Sequence, residues 1–321
     1  MTAPTRVEPA TGTLLRPAGS LAGPRPEDDV LLTAAAAGWA YAGLRVLRLA
    51  PGARSSVSTV DSEVLVLPLA GSVTVEIAAT SAPTAVEERY ELVGRRSVFT
   101  GATDFAYAGR DSDLVLVSEH GADVALPSAR CERRLPPAYG GTDDVRSEIR
   151  GAGRSTRLVR NVAVPGVWDH AEKLLCCELV TPPGNWSSHP PHKHDLTPPC
   201  PVANEEIYYY RIAGADQVTP SRGGFGLHRT YTGPEHAHAG LAPLDETLEV
   251  RDGDVVLVPY GYHGPCAAAP GYPMYYLNVL AGPGAERSMA FCDDPAHAWI
   301  RDSWAGQGAD PRVTSLTRRT S

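Results

Sequence analysis

What most limits the folds open to this chain is its rhythm of short apolar runs, each closed off by proline or glycine. LRVLRLA, EVLVLPLAGSVTV and DLVLVS stand in the first half; KLLCCELV, EEIYYYRIA, DVVLVP and MYYLNVLA stand in the second. Runs this short, rich in β-branched and aromatic residues and bounded by turn signals, read as strands of a sandwich or barrel. The 29 prolines and 31 glycines leave few uninterrupted stretches for helices. One helix is expected near the end, with Asp294 as cap, Pro295 in the first turn, AHAWIRDSWA as the body and Gly306 as the stop.

The rhythm also repeats. Pro51-Gly52 precedes Ser55-Ser56 as Pro183-Gly184 precedes Ser187-Ser188. Glu63 stands before Gly71 at the same interval as Glu206 before Gly214, with VLVLPLA and IYYYRIA between them. GRRSVFTG from Gly94 answers GDVVLVPYG from Gly253. Ordered agreement of this kind indicates tandem duplication of one β module. The expected fold is all-β, two tandem jelly-roll barrels with few short helices, divided into residues 1–150 and 151–321. A chain of 321 residues is long enough for two ordinary cores.

The two copies differ where chemistry would sit. Between Gly52 and Glu63 there is no histidine, whereas His189, His192 and His194 lie between Gly184 and Glu206. The position answering His263 falls near Thr103. On an extended strand His192 and His194 leave the same face and Lys193 the other. Glu206 opens a β-rich run that puts Tyr208 and Tyr210 on its own face and Glu205 on the opposite one. Pro198, Pro199 and Pro201 argue for a loop between the histidine pair and that run, and His263 follows a tight turn at Pro259 and Gly261. Three imidazoles and a carboxylate, His192, His194, Glu206 and His263, suit one borderline divalent ion such as zinc, manganese or iron(II). With one glutamate and no imidazole, the first half is expected to be structural. His236-x-His238, set among glycine, proline and alanine, reads as a solvated loop. His189 alone reads as a surface or hydrogen-bonded residue.

Charge and composition narrow the partners. A net charge of -8 gives no footprint for nucleic acid. No run reaches the roughly 18–20 apolar residues of a membrane span. The opening MTAPTRVEPATG lacks the apolar core of a secretion signal. Six cysteines without a C-x-x-C pair read as reduced thiols of a cytoplasmic protein. The expected partner is a small molecule, and exposed sheet surfaces leave room for a homo-oligomer.

The two histidine segments resemble the paired motifs of cupins, in which H-x-H and a later Glu precede a final His after a P-x-G turn. Here an insertion separates His194 from Glu206, and PYGYH has one residue fewer before its histidine. More narrowly, GNWSSHPPHKHD, EEIYYYRI, GGFGLHRTYT, DGDVVLVPYGYHGP and APGYPMYYLNVLAGP are similar to the 5-deoxy-glucuronate isomerase family, bicupins of inositol catabolism. These stretches cover most of residues 183–284, and GRRSVFTG adds a weaker match in the first half.

The resemblance implies conversion of the uronate 5-deoxy-D-glucuronate to 5-dehydro-2-deoxy-D-gluconate, with metal ligation at His192, His194, Glu206 and His263. Moving the carbonyl from C1 to C2 takes a proton from C2 and returns one at C1, or shifts a hydride. Tyr208 or Tyr210 suits an acid/base role, although aromatic residues in strands ordinarily pack in a core. Arg229 is the candidate partner for the substrate carboxylate, with a solvent-exposed arginine as the alternative. A cupin metal-dependent dioxygenase and a non-catalytic sugar-binding cupin are the rival readings. Oxygen consumption would favour the first, and loss of ligands from both copies would have favoured the second.

Overall fold

The computed structural model describes residues 13–313 apart from 83, 196 and 201. The opening segment read for a secretion signal and Pro201 of the expected loop lie outside it. Strands dominate, and the α-helices Ala34–Ala37, Pro234–His238 and Ile300–Ser303 are all short. Among the described residues no helix is long and apolar enough to cross a membrane. All six cysteines are free.

Three sheets carry the fold. Every strand from Asp28–Leu32 to Ala138–Gly140 joins one nine-stranded sheet. A seven-stranded sheet takes the strands Arg146–Arg150, Arg157–Ala163, Leu175–Thr181, Glu205–Ile212, Val255–Val258 and Met274–Ala281, with Leu15–Arg16 crossing over from the start of the chain to its edge. A six-stranded sheet, including His192–Lys193, Gly226–Tyr231 and Tyr262–Ala268, packs against it.

Side-chain alternation along single strands sorts the apolar residues into three cores. Val64, Val66, Leu114 and Leu116 fill the earlier barrel. Tyr208, Tyr210, Met274, Tyr276 and Cys266 line the later one. Between the barrels, Leu65 and Leu67 pack in one cluster with Ile207, Tyr209, Leu277 and Val279. Each central strand is therefore buried on both faces, which explains its unbroken apolar run.

Buried carboxylates lock the barrels together. Glu63 accepts the N–H groups of Glu172, Lys173 and Leu174 and the Tyr107 hydroxyl, at 2.6–2.8 Å. Glu205 returns the arrangement, accepting the N–H groups of Ala40, Tyr41 and Ala42 at 2.8–2.9 Å. Glu178, fully buried, binds Arg95 from the earlier barrel and the Tyr275 hydroxyl. Burial opposes ionisation of Glu178, but the Arg95 guanidinium outweighs it and holds the carboxyl below its ordinary range.

Strand pairing corrects the expected alignment of the two copies. Glu63 faces Ala129 and Leu67 faces Ala125; in the later barrel Glu205 faces Ala281 and Tyr209 faces Leu277. Glu63 thus answers Glu205, and the residue answering Glu206 is Val64. By the same registers, with a bulge between Pro68 and Ala70, Gly71 answers Ile212 and not Gly214, so counting back from the two glycines misaligns the glutamates. His263 faces His192 and Thr230, whereas Leu114 faces Val57 and Ile77. The counterpart of His263 is accordingly Leu114, not a residue near Thr103.

Of the helix expected from Asp294 to Gly306, only Ile300–Ser303 is α-helical. The Asp294 carboxylate accepts the Tyr231 hydroxyl and the Ala296 N–H. The chain then advances through i→i+3 turns, His297 N to Asp294 O and Ile300 N to His297 O, which are tighter than an α-helix.

Candidate metal centre

Pairing of His192–Lys193 with Tyr262–Ala268 sets His192 directly across from His263. His194 leaves the end of the same short strand, and Glu206 projects inward from the facing sheet. Glu205, its neighbour, points the other way into the earlier barrel, as alternation requires. One donor atom each from His194, Glu206 and His263 lie within 4.8 Å of one another, and all three residues are buried. His192 flanks them, its ring 4.5 Å from that of His263 and 6.4 Å from that of His194, centroid to centroid. It is partly exposed and packs against Phe291 at 4.9 Å.

The loops aim the imidazoles. His192 Nδ1 lies 3.3 Å from Pro190 O, His194 Nδ1 3.0 Å from Asn204 O, and His263 Nδ1 3.3 Å from Gly261 O. A carbonyl beside each Nδ1 can accept its N–H, which would free Nε2 to ligate a cation. Nε2 of His194 and of His263 lie 3.1 and 3.0 Å from the same Glu206 oxygen. His263 Nε2 is buried and, although 3.0 Å from that oxygen, makes no hydrogen bond with it, which leaves it a donor a cation would satisfy. The donor set therefore fits a divalent ion.

Charge on these groups is mutually arranged. Burial resists ionisation of Glu206, but the imidazoles of His263 and His194 outweigh it and hold the carboxyl well below its ordinary range. Burial, with His263 and His194 close by, pushes His192 well below the usual histidine value. It therefore stays neutral, the form in which an imidazole can ligate a metal. Burial also lowers His194, but its bond to Glu206 wins and raises it.

A second layer ties the two ligand segments together. Asp195, adjacent to His194, accepts Gly261 N–H at 2.7 Å from the turn that carries His263, and meets His236 Nε2 at 2.8 Å. Burial would raise its carboxyl, but the bonds from His236, Thr197 and Gly261 keep it well below the ordinary range. His236 is thus no solvated loop residue: it is fully buried on the helix Pro234–His238. Lys193 does turn away from the donors, but it is buried too, donating to Thr197 O and Pro198 O at 3.0 and 3.3 Å. His189 is half-buried, with its Nδ1 enclosed and unpartnered.

Of the two tyrosines, Tyr208 is the nearer to the donors, its ring 6.1 Å from that of His263. Its hydroxyl makes only a long 3.4 Å contact with Ser188 Oγ. Burial, with Glu206 close by, raises it well above the usual phenol value, so it stays protonated. Tyr210 lies farther along the strand and is committed, its hydroxyl 2.6 Å from His228 Nδ1.

Arg229 is not in the site. Its guanidinium pairs with Asp245 at 3.1 Å and stacks on Tyr231, with 40% of the side chain exposed. Its neighbour His228 takes the inward position that sequence reasoning missed. His228 is fully buried, 4.8 Å from the Tyr208 ring and 3.0 Å from Thr230 Oγ1 through Nε2. Burial, then His263, push it down to about 3, so it is neutral. Strand parity in GLHRTYT offered the signal: only one of His228 and Arg229 can face inward.

Two tandem β barrels, one carrying a histidine-rich donor set at its inner face, make this protein a bicupin. The KduI/IolB family pattern matches residues 15–300, and the chain belongs to that family. A 5-deoxy-glucuronate isomerase of Geobacillus thermodenitrificans is 36% identical over 292 residues, covering 87% of this chain and 94% of that protein. The crystal structure of an IolB-like protein from Salmonella typhimurium superposes with a TM-score of 0.76 at 31% identity, covering 90% of this chain and 99% of that one. Oxalate decarboxylase of Lactobacillus farciminis shares the fold alone, with a TM-score of 0.58 at 12% identity over 87% of this chain and 89% of that one.

Proposed function

We propose that this chain isomerises 5-deoxy-D-glucuronate to 5-dehydro-2-deoxy-D-gluconate, a step of inositol catabolism, using one divalent ion held by His192, His194, Glu206 and His263. The observation that carries the reading is the common orientation of the three imidazoles. Each has its Nδ1 beside a backbone carbonyl, and Nε2 of His194 and of His263 converge on one oxygen of the ionised Glu206 carboxylate. Family membership supports the substrate, since the Geobacillus thermodenitrificans isomerase named above is 36% identical to this chain over 292 residues.

An ion held by these four residues would supply Lewis acidity toward the substrate carbonyl. The protein's own groups do the remainder. The protonated Tyr208 hydroxyl is suited to donate to a substrate oxygen and unsuited to act as the resting base. Tyr210 and His228 support it from behind through their short mutual hydrogen bond. Asp195 keeps the two ligand segments in register through Gly261.

The test is metal content by mass, followed by turnover of 5-deoxy-glucuronate with oxygen excluded. About one divalent ion per chain and undiminished anaerobic isomerisation are expected. Strict dependence on oxygen, or full activity after chelation, would overturn the reading.

A further inference from the structure

Among the described residues, seven buried side-chain polar atoms have no hydrogen-bond partner. Two belong to the inner face beside the donor set. His263 Nε2 is accounted for by the ion; Asn278 Nδ2 is not.

Asn278 is 3% exposed on the strand Met274–Ala281. Its alternate neighbours Met274 and Tyr276 line the later barrel, while Tyr275, Leu277 and Val279 face the other one. The Asn278 side chain therefore points inward. It pairs across the sheet with Tyr208, and Leu280, two residues on, pairs with Glu206. Directly opposed side chains sit roughly 5 Å apart and diagonal ones about 7–8 Å, so Asn278 adjoins Tyr208 and stands diagonal to Glu206.

A buried amide N–H without a partner destabilises a fold, and folded proteins rarely keep one without a reason. The earlier barrel avoids that cost. Leu67 faces Ala125 as Tyr209 faces Leu277, so the residue answering Asn278 is Leu126, a member of that barrel's apolar core. The amide thus appears only in the barrel that carries the donor set.

We propose that Asn278 is a substrate-binding residue whose Nδ2 donates a hydrogen bond to a hydroxyl or carbonyl oxygen of an open-chain polyhydroxy acid, beside the atoms that react. This rests on the isomerase reading for the identity of the acid but not for the presence of the donor. Together with the Tyr208 hydroxyl it gives the inner face two donors on one rung of the sheet. A site built to hydrogen-bond an oxygen discriminates strongly against ligands that lack it.

Asn278→Leu installs the residue of the sister barrel, and Asn278→Ala removes the amide without adding bulk. Metal content should match wild type in both. Ligand-free Asn278→Leu should melt higher than wild type, because an unpaired polar group has been removed. D-gluconate, an aldonate that cannot be isomerised here, should raise the melting temperature of the metal-loaded wild type. That shift should be lost in both variants, and kcat/KM for 5-deoxy-glucuronate should fall by about tenfold or more.

A lower melting temperature in Asn278→Leu with an undiminished gluconate shift in Asn278→Ala would mark the amide as structural and overturn the proposal. So would unchanged kcat/KM in either variant of an active enzyme. Should the wild type fail to isomerise the uronate while the gluconate shift still depends on Asn278, the isomerase reading falls and the donor role stands.

Discussion

The two barrels are one architecture with two interiors. At corresponding ladder positions the later barrel holds His192, Glu206 and His263, and the earlier one holds Val57, Val64 and Leu114. Tyr208, His228 and Asn278 likewise answer Val66, Val75 and Leu126, all three in the apolar core of the earlier barrel. One duplicate solved the problem of a barrel interior by filling it with hydrocarbon, which maximises burial. The other kept imidazoles, a carboxylate and phenols there, at a cost in stability that only ligands or dense hydrogen bonding can offset. The conserved architectural device is Glu63 and Glu205, each reaching into its sister. The glutamate proposed to hold the ion is the adjacent residue, on the opposite face of its strand.

The largest expected effect separates those two glutamates. Glu206→Gln and His263→Ala should each abolish metal retention and reduce turnover by roughly 10³-fold or more, with the melting transition preserved. Metal content by mass beside a thermal scan decides it. A metal-free variant that still turns over at the wild-type rate would end the claim that the polar barrel is the working one.

Next in size come Glu63→Gln and Glu205→Gln, which should act alike. Each removes a carboxylate that accepts three consecutive backbone N–H groups, and an amide nitrogen would face one of them. A loss of about 2–4 kcal/mol in unfolding free energy is expected for each, with metal content unchanged. Denaturant unfolding at matched metal load measures it. Were Glu63→Gln silent while Glu205→Gln destabilised, the reciprocal lock between the barrels would be refuted.

Much of this contrast was legible in the sequence. Tandem repetition, the H-x-H pair and the parity of Glu205, Glu206, Tyr208 and Tyr210 all follow from a period of two on strands whose apolar runs are unmistakable. The misalignments arose where that period is interrupted. Gly71 answers Ile212 and not Gly214, a displacement that no spacing rule reveals, and another irregularity separates His228 from Thr230 in their pairing with the strand of His263. The partnership of Asp195 with His236 joins segments far apart in the chain, so local composition made a buried histidine look solvated. Of the helix expected after Asp294 only Ile300–Ser303 forms, although Asp294 still accepts the Ala296 N–H while its other oxygen bonds Tyr231 from another strand.

The smallest expected effect tests the finest division, between two neighbouring residues. Leu227 is 40% exposed and His228 fully buried, so the strand Gly226–Tyr231 turns its even-numbered residues inward despite the apolar leucine. Arg229 consequently lies outside, in an ion pair with Asp245 that is open to solvent. Exposed pairs of this kind contribute little, typically under 1 kcal/mol. Arg229→Ala should therefore leave KM for the uronate unchanged within about twofold and shift stability by roughly 0.5 kcal/mol or less. His228→Ala, one position away, should lower kcat, because it strips Tyr210 of its 2.6 Å partner and opens a space beside the Tyr208 ring. Steady-state kinetics on the pair settles which side of the strand faces the substrate: a raised KM in Arg229→Ala with normal turnover in His228→Ala would reverse the assignment of inside and outside argued for this barrel.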